Sequence, residues 1–289
     1  MNPVKKETFK DKLKQYKNAP FSFVLMILVM LCAAITAVTL IFIVVYILVK
    51  GVPNLTPSLF SPTYNTENVS MLPAIINTFI MTLISLLIAV PLGIFSAVYL
   101  VEYAKRGNKI VGIIRMTTET LSGIPSIIYG LFGFLFFVTT MHLGYTILSG
   151  ALTLAIMILP LIMRTTEEAL KSVPDSYREG SFGLGAGKLR TVFRIIVPTA
   201  IPGILSGIIL ATGRIAGETA ALIFTAGTGT KIAAKFWSDS GRTLAVHMYN
   251  LSSEGLYIDQ CYATAVILLV MVALINGLSG LVAKKLSKG

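Results

Sequence analysis

Charged side chains are unevenly distributed along this chain of 289 residues, and several long stretches contain none of them. An α-helix needs about 20 consecutive apolar residues to cross the hydrocarbon core of a bilayer. The uncharged stretches cover residues 21–49, 68–101, 120–163 and 260–283, and a fifth, 195–230, is interrupted only by Arg214 and Glu218. The stretch 120–163 is long enough for two helices joined by a turn near residue 140. The pattern therefore predicts an all-α integral membrane protein with six transmembrane helices, over 22–50, 73–101, 119–140, 145–164, 198–224 and 260–283.

Composition supports a lipid environment for these helices. Hydrophobic residues make up 55% of the chain and charged residues 13%, with a mean hydropathy of +0.80. Soluble proteins carry roughly a quarter charged residues, which they need to cover their surface. Cys32 and Cys261 are the only cysteines, and both lie in apolar stretches where a thiol behaves as a small hydrophobe. A disulfide scaffold is therefore excluded, and the lipid bilayer is an expected partner.

The basic residues predict the orientation of the helices. Of the 24 Lys and Arg residues, 19 lie in the N-terminal tail, the 102–115 loop, the 164–197 segment and the C-terminal tail, and four lie in the loops on the opposite side. Cytoplasmic loops are enriched in Lys and Arg, so both termini are predicted to be cytoplasmic. The net charge of +11 is explained by topology, and no nucleic-acid partner is expected. The uncharged stretch after the N-terminal lysines is too long for a signal-peptide core and is interpreted as a retained helix.

The chain is interpreted as one membrane domain with several distinct loops. An N-terminal cytoplasmic tail (1–20) and a first helix (21–50) precede an external loop (51–71). The remaining five helices form a core over 72–285. Two loops of this core are long, the basic loop 165–197 on the cytoplasmic side and the external loop 225–259, which is predicted to carry a short helix at the outer surface.

Motifs of nucleotide and metal chemistry fail on inspection. The glycine cluster that ends at Lys188 resembles a phosphate-binding loop, but that motif needs Gly and Ser or Thr where this chain has Phe182 and Leu189. His142 and His247 are the only histidines, and both cysteines lie inside apolar stretches, so no zinc spacing exists. The sequence therefore predicts no catalytic residue, no metal and no cofactor, and any ATP hydrolysis must come from another polypeptide.

The basic loop has a sequence typical of a short helix–turn–helix. Pro174 and Asp175 favour a helix start, because proline fits the beginning of a helix and an acidic residue suits its first turn. Glycines at 183, 185 and 187 are expected to end that helix. A simpler interpretation also exists, namely a basic loop that only sets the topology.

This loop resembles the cytoplasmic signature of ABC importer permeases, written E-A-A-x-x-x-G, nine variable residues, then I-x-L-P. Glu179, Gly185, Ile195 and Pro198 match the signature at its offsets. The chain departs from it by small or conservative exchanges at Gly180, Ser181 and Val197. The resemblance implies a permease core of the type I, methionine-importer-like class, in which this loop forms a coupling helix that docks on an ATP-binding subunit.

Two further segments, 119–130 and 213–221, resemble the A-type permease of phosphate importers. The resemblance extends over residues 70–285. It implies a prokaryotic inner or plasma membrane location, a second homologous permease subunit, two ATP-binding subunits and an extracytoplasmic phosphate-binding protein. Related anion permeases share parts of these segments, so molybdate or sulfate stays open as the substrate. A self-sufficient secondary anion transporter is a further alternative, and a membrane enzyme is a third.

Arg214 is the most informative charge within the predicted spans. An Arg near the middle of a span costs about 2.5–3.5 kcal/mol on insertion scales, so it is usually paired or functional. Arg214 and Glu218 are four residues apart, which predicts a shared helix face. Either they form a structural pair, or the guanidinium faces the pathway and binds an oxyanion through two bonds. Arg164 is interpreted as a second pathway residue or an interfacial anchor, and Pro125 is expected to kink the third helix after Glu119.

Overall fold

The computed structural model describes residues 20–105 and 107–286. The lysine-rich tail of the topology prediction, 1–19, and the last three residues lie outside this range. All regular elements of the described residues are helical. In chain order, the α-helices are α1 (Pro20–Gly51), α2 (Leu72–Val98), α3 (Lys109–Ser122), α4 (Ser126–Gly133), α5 (Ile147–Lys171), α6 (Asp175–Gly183), α7 (Lys188–Thr191), α8 (Val197–Ala216), α9 (Ala220–Ile223), α10 (Leu244–Glu254) and α11 (Ile258–Leu286).

Five helical segments are long and apolar enough to cross a membrane, namely α1, α2, α5, α7 with α8, and α11. Three helices continue into π-helical turns, Tyr99–Tyr103 after α2, Phe134–Thr140 after α4 and Val192–Ile196 between α7 and α8. The pair α3 and α4 passes the same length and composition test together, although it is bent by 103°. The described chain therefore has six spans if the bent pair counts as one.

The chain forms two compact units, one ending at Lys50 and one beginning at Gly51. The first contains nearly all of α1, whose 32 residues correspond to about 48 Å of helix at 1.5 Å per residue. Inside the second unit, α5 is the central helix and packs against α2, α3, α4 and α8. The largest fully buried side chains of α5 include Leu154, Ile158 and Ile162, so the core of this unit is built around α5.

The predicted third helix, 119–140, is wrong as a continuous element. The helix ends at Ser122, and a new helix begins at Ser126. Pro125 explains the break, because proline lacks an N–H group and disfavours helical backbone at the residue before it. Pro125 is expected to kink the helix, and the structure shows a larger change, a break with a bend of 103° between α3 and α4.

Two other predicted boundaries also differ. The fifth predicted helix, 198–224, ends at Ala216, and the short helix α9 follows after a three-residue break. The fourth, 145–164, continues seven residues further to Lys171. The segment 225–259 contains the predicted short helix, which is α10, and α10 buries Leu244 and Leu251 against the rest of this unit.

Candidate functional site

The two segments with the phosphate-permease resemblance, 119–130 and 213–221, contact each other. Gly130 lies on α4 so close to α9 that a Cβ added to it would come within 2.8 Å of the Ala221 Cα atom. Only glycine fits this backbone contact. Segments separated by some 80 residues in sequence are thus brought together through α4 and α9.

Tyr129, next to Gly130 on α4, connects this contact to the α3–α4 break. Its hydroxyl donates to the Leu121 carbonyl oxygen at 2.8 Å, which joins α4 to the end of α3 across the break. The tyrosine is 5% exposed. The positive charge of Arg214 is near enough to act electrostatically on this hydroxyl.

Arg214 lies in the last turn of α8 and is half-buried. No Asp or Glu oxygen among the described residues lies within ion-pair distance of it. The positive guanidinium is also near the carbonyl end of its helix, where the helix dipole favours a cation. This geometry leaves hydrogen-bond donors of Arg214 open to an anion.

Glu218 does not share a helix face with Arg214, because α8 ends at Ala216. Its carboxylate turns back instead, and Oε1 accepts hydrogen bonds from the backbone N–H groups of Thr219 at 3.2 Å and Ala221 at 3.1 Å. Glu218 is 8% exposed. The predicted helix-face contact is therefore wrong, and the carboxylate stabilises the start of α9.

Arg164 lies on α5, away from the contact between α4 and α9. Its side chain is 58% exposed and Nε donates to Glu168 at 3.0 Å, one turn further along the helix. Glu119 is close enough to interact with it electrostatically. A cleft of about 240 Å³ between α3 and α5 is lined by these three residues, together with Leu100, Arg115, Thr118, Met163, Glu167 and Lys171.

The cleft contains further ion pairs that sequence analysis did not identify. The Glu167 carboxylate lies 2.7 Å from Arg115 of α3 and 2.6 Å from Lys171 of α5. These pairs hold α3 against the end of α5. A spacing of 52 residues between Arg115 and Glu167 left no sequence signal for the contact.

The basic loop folds as predicted, with α6 beginning directly after Pro174 and ending at Gly183. Gly185 follows with a φ of +80°, a left-handed conformation that favours glycine. The Gly185 N–H donates to the Phe182 carbonyl at 2.9 Å, and the Ala186 N–H donates to the Ser181 carbonyl at 3.1 Å. This hydrogen-bond pattern is the Schellman ending of a helix, so the glycine of the signature is required by the turn.

The other signature residues differ in exposure. Ser181 is buried and its hydroxyl shares a 2.8 Å hydrogen bond with the Thr191 hydroxyl, which joins α6 to α7. Glu179 and Gly180 are exposed on α6. Ile195 is half-buried in the π-helical turn and Pro198 occupies the first turn of α8.

Large apolar side chains are exposed along the same loop. Leu184 is 91% exposed. Loops that face water rarely expose several large apolar side chains close together in sequence. The others are Tyr177, Phe182, Leu189 and Phe193. We name these five residues the apolar loop face. A set of this kind is typical of a protein contact surface.

A second buried polar group lies on α10 and the loop before it. The Arg242 guanidinium stacks over the Tyr64 ring, 4.5 Å from its centroid, and Arg242 is 5% exposed. His247 is fully buried near it. Burial, and secondarily the charge of Arg242, lower the pKa of His247 to about 3. His247 is therefore a neutral core residue at physiological pH.

In residues 20–105 and 107–286, no group of three or more His, Cys, Asp or Glu side chains converges.

Comparisons with known proteins agree with the sequence resemblance. Residues 89–288 match the family described as binding-protein-dependent transport system inner membrane component. The probable ABC transporter permease protein YqgI of Bacillus subtilis is 39% identical over 248 residues, which are 79% of this chain and 82% of that protein. The phosphate transport system permease protein PstA of Yersinia pestis is 33% identical over 245 residues, 82% of this chain and 81% of that protein.

A solved structure supports the fold. The chain matches a bacterial alginate ABC transporter, crystallised with an alginate pentasaccharide-bound periplasmic protein, at a TM-score of 0.69. The match covers 94% of this chain and 98% of that one at 14% identity. At this identity the likeness shows the fold alone.

Proposed function

Because the chain belongs to the family of binding-protein-dependent transport system inner membrane components, we propose that it is the membrane-spanning permease subunit of an ATP-driven importer for inorganic phosphate. It forms half of the translocation pathway. The observation that carries this assignment is the contact between segments 119–130 and 213–221, in which Gly130 lies against Ala221 and the charge of Arg214 acts on the Tyr129 hydroxyl. Relatives named as PstA phosphate permeases, at 33–37% identity, support phosphate as the substrate.

The chain needs an external source of energy, since its relatives are permease subunits and the ATPase is a separate polypeptide. We propose that the complex contains two ATP-binding subunits, one of which docks on α6 and on the apolar loop face of this chain. A second, homologous permease subunit supplies the other half of the pathway. An extracytoplasmic phosphate-binding protein delivers the anion to the opposite side of the membrane.

The proposed docking surface determines the orientation. ATP is cytoplasmic, so α6 lies on the cytoplasmic side, in agreement with the excess of basic residues in the loops beside it. After replacement of Cys32 and Cys261, single cysteines at positions 108 and 180 react with impermeant thiol reagents only from the cytoplasm. Cysteines at positions 60 and 240 react only from outside. Reversed labelling of either pair contradicts the orientation.

Arg214 is the proposed phosphate contact of this subunit. A guanidinium offers two parallel N–H bonds to an oxyanion, and its neighbours leave those donors unpaired with carboxylate. Glu218 lines the same turn and orients it through the two backbone bonds. Arg164 lies at the exit side of the proposed pathway. There its guanidinium would exchange Glu168 for phosphate as the anion leaves.

Uptake of labelled phosphate by vesicles that contain the assembled complex tests the function. We expect uptake that requires both ATP and the ATP-binding subunits, and that excess sulfate or molybdate does not suppress. Arg214→Lys keeps the charge but loses the two parallel bonds, so uptake falls at least tenfold while assembly is normal. The matched control is Arg190→Lys, an exposed arginine of the basic loop.

Each alternative has its own outcome in this assay. Suppression by sulfate or molybdate assigns a different oxyanion to the pathway. Uptake by the permease without ATP-binding subunits indicates a secondary transporter. Normal uptake in Arg214→Lys removes Arg214 from the pathway and leaves it a packing role.

A further inference from the structure

Glu102 and Arg178 form an ion pair between two elements that are far apart in sequence. Glu102 lies in the π-helical turn after α2, and Arg178 lies in the middle of α6. Arg178 Nη2 is 2.7 Å from Glu102 Oε1, and Nε is 3.2 Å from Oε1 and 3.4 Å from Oε2. The side chains are 16% and 7% exposed. This is the least exposed of the ion pairs among the described residues.

The same guanidinium also binds the end of α5. Nη2 donates to the Leu170 carbonyl at 3.1 Å and Nη1 to the Val173 carbonyl at 2.9 Å. The Leu170 carbonyl lies in the last turn of α5 and also accepts from the Val173 N–H at 3.4 Å, and Val173 lies two residues past the end of the helix. Nη1 reaches Asp175 at 3.1 Å, but Asp175 is exposed and contributes little. The hydrogen bond to Glu102 raises the pKa of Arg178 further, so the cation is permanent.

Arg178 thus joins three elements, the end of α2, the end of α5 and α6. A lysine carries its three N–H donors on one nitrogen and lacks the planar spread with which the guanidinium reaches Glu102, Leu170 and Val173. These contacts bind α6 to the ends of α2 and α5, so a shift or rotation of α6 must either break them or move those ends with it.

We propose that the Glu102–Arg178 ion pair transmits movements of α6 to the transport helices α2 and α5, which makes Arg178 a positioning residue for coupled transport. This inference rests on the proposed function, in which α6 contacts the ATP-binding subunits. Two neighbouring contacts join the same elements through α7. Lys188 lies 5.1 Å above the Tyr103 ring, and the hydroxyls of Ser181 and Thr191 are bonded to each other.

The test compares four forms of the assembled complex, the wild type, Glu102→Gln, Arg178→Gln and the double variant. Each single variant leaves a buried charge without its partner and is expected to assemble poorly, whereas the double variant leaves no charge unpaired. The matched control is Glu254→Gln, the same exchange at an exposed carboxylate at the end of α10, away from α6. Three quantities are measured, the yield of complex, ATP hydrolysis with and without the binding protein, and phosphate uptake per ATP hydrolysed.

We expect the double variant to assemble and to hydrolyse ATP, with uptake per ATP at least tenfold lower than in the wild type and with the response of hydrolysis to the binding protein lost. The Glu254→Gln complex keeps both within twofold. An assembled double variant with wild-type uptake per ATP overturns the proposal. Failure of the double variant to assemble, when Glu254→Gln assembles, also overturns it, since the pair would then only support the fold. Absence of phosphate uptake by the wild-type complex refutes the proposed substrate. In that case the ion pair is still tested by comparing how ATP hydrolysis responds to the binding protein in the wild type and in the double variant.

Discussion

Replacement of Glu218 tests whether its carboxylate stabilises the fold or takes part in transport. The Oε1 atom accepts hydrogen bonds from the N–H groups of Thr219 and Ala221 at 3.2 and 3.1 Å, and Ala221 is fully buried. In Glu218→Ala both bonds are lost, and the buried Ala221 N–H has no replacement from water. Leaving a buried donor unsatisfied costs about 1–3 kcal/mol, and losing a helix cap costs about 1 kcal/mol. We therefore expect Glu218→Ala to destabilise the folded permease by about 2–4 kcal/mol.

Glu218→Gln is the decisive companion variant. The glutamine amide oxygen can accept from the same two N–H groups, so the start of α9 is retained. Charged hydrogen bonds are roughly twice as strong as neutral ones, and we expect a loss of about 1–2 kcal/mol. Phosphate uptake per assembled complex stays within a few-fold of the wild type, because the neighbouring Arg214 is unchanged.

The assay is the unfolding temperature of the purified complex at one fixed scan rate, combined with vesicle uptake. Glu254→Ala serves as the control, since Glu254 is an exposed glutamate at the end of α10. An unchanged unfolding temperature in Glu218→Ala would refute the capping role. A stable Glu218→Gln complex without uptake would show that the negative charge itself acts in transport.

Three further predictions follow from local geometry. In Gly207→Leu the new side chain occupies the space of Thr165, so α8 is pushed away from α5 and the yield of purified complex falls. The control, Gly277→Leu on the open surface of α11, is tolerated. Gly185→Trp strains a φ of +80° and alters the docking surface, so uptake falls sharply in inserted protein, and Gly185→Asn retains more activity because asparagine tolerates this conformation. The pKa of His247 is lowered to about 3, below about 6.5 in the unfolded chain. The unfolded state therefore binds the proton first, and stability falls by about 2 kcal/mol from pH 7.5 to 5, a loss that His247→Phe removes in unfolding assays.

Features that depend on neighbouring residues were predictable from sequence. Pro174 begins α6 and Gly185 ends it, as expected, because proline and glycine restrict or permit backbone angles independently of distant contacts. The break at Pro125 follows from the same property. Its angle of 103° does not, because the direction of α4 after the break depends on packing against α5 and α9.

Features that depend on distant residues were not predictable. A spacing of four residues places Arg214 and Glu218 on one face only if both lie in the same helix. The helix ends at Ala216, so the two side chains do not share a face. Gly217 interrupts the pattern, and Glu218 finds closer donors in the backbone of α9. The partner of Arg178 is 76 residues away, and no periodicity connects Glu102 to it. An unpaired Glu at the end of an apolar stretch was the only available signal.

Close packing extends the connection from α6 to Arg214. The end of α5 is bound by Arg178, and α5 also packs tightly against α8, where a Cβ added to Gly203 would lie 2.6 Å from the Ala169 Cβ atom. Small residues spaced four apart allow two helices to approach until their backbones are nearly in contact. Helices packed this closely move together, because sliding would force side chains into occupied space. The proposed coupling therefore predicts that a displacement of α6 reaches the last turn of α8, which carries Arg214, through two contacts on α5.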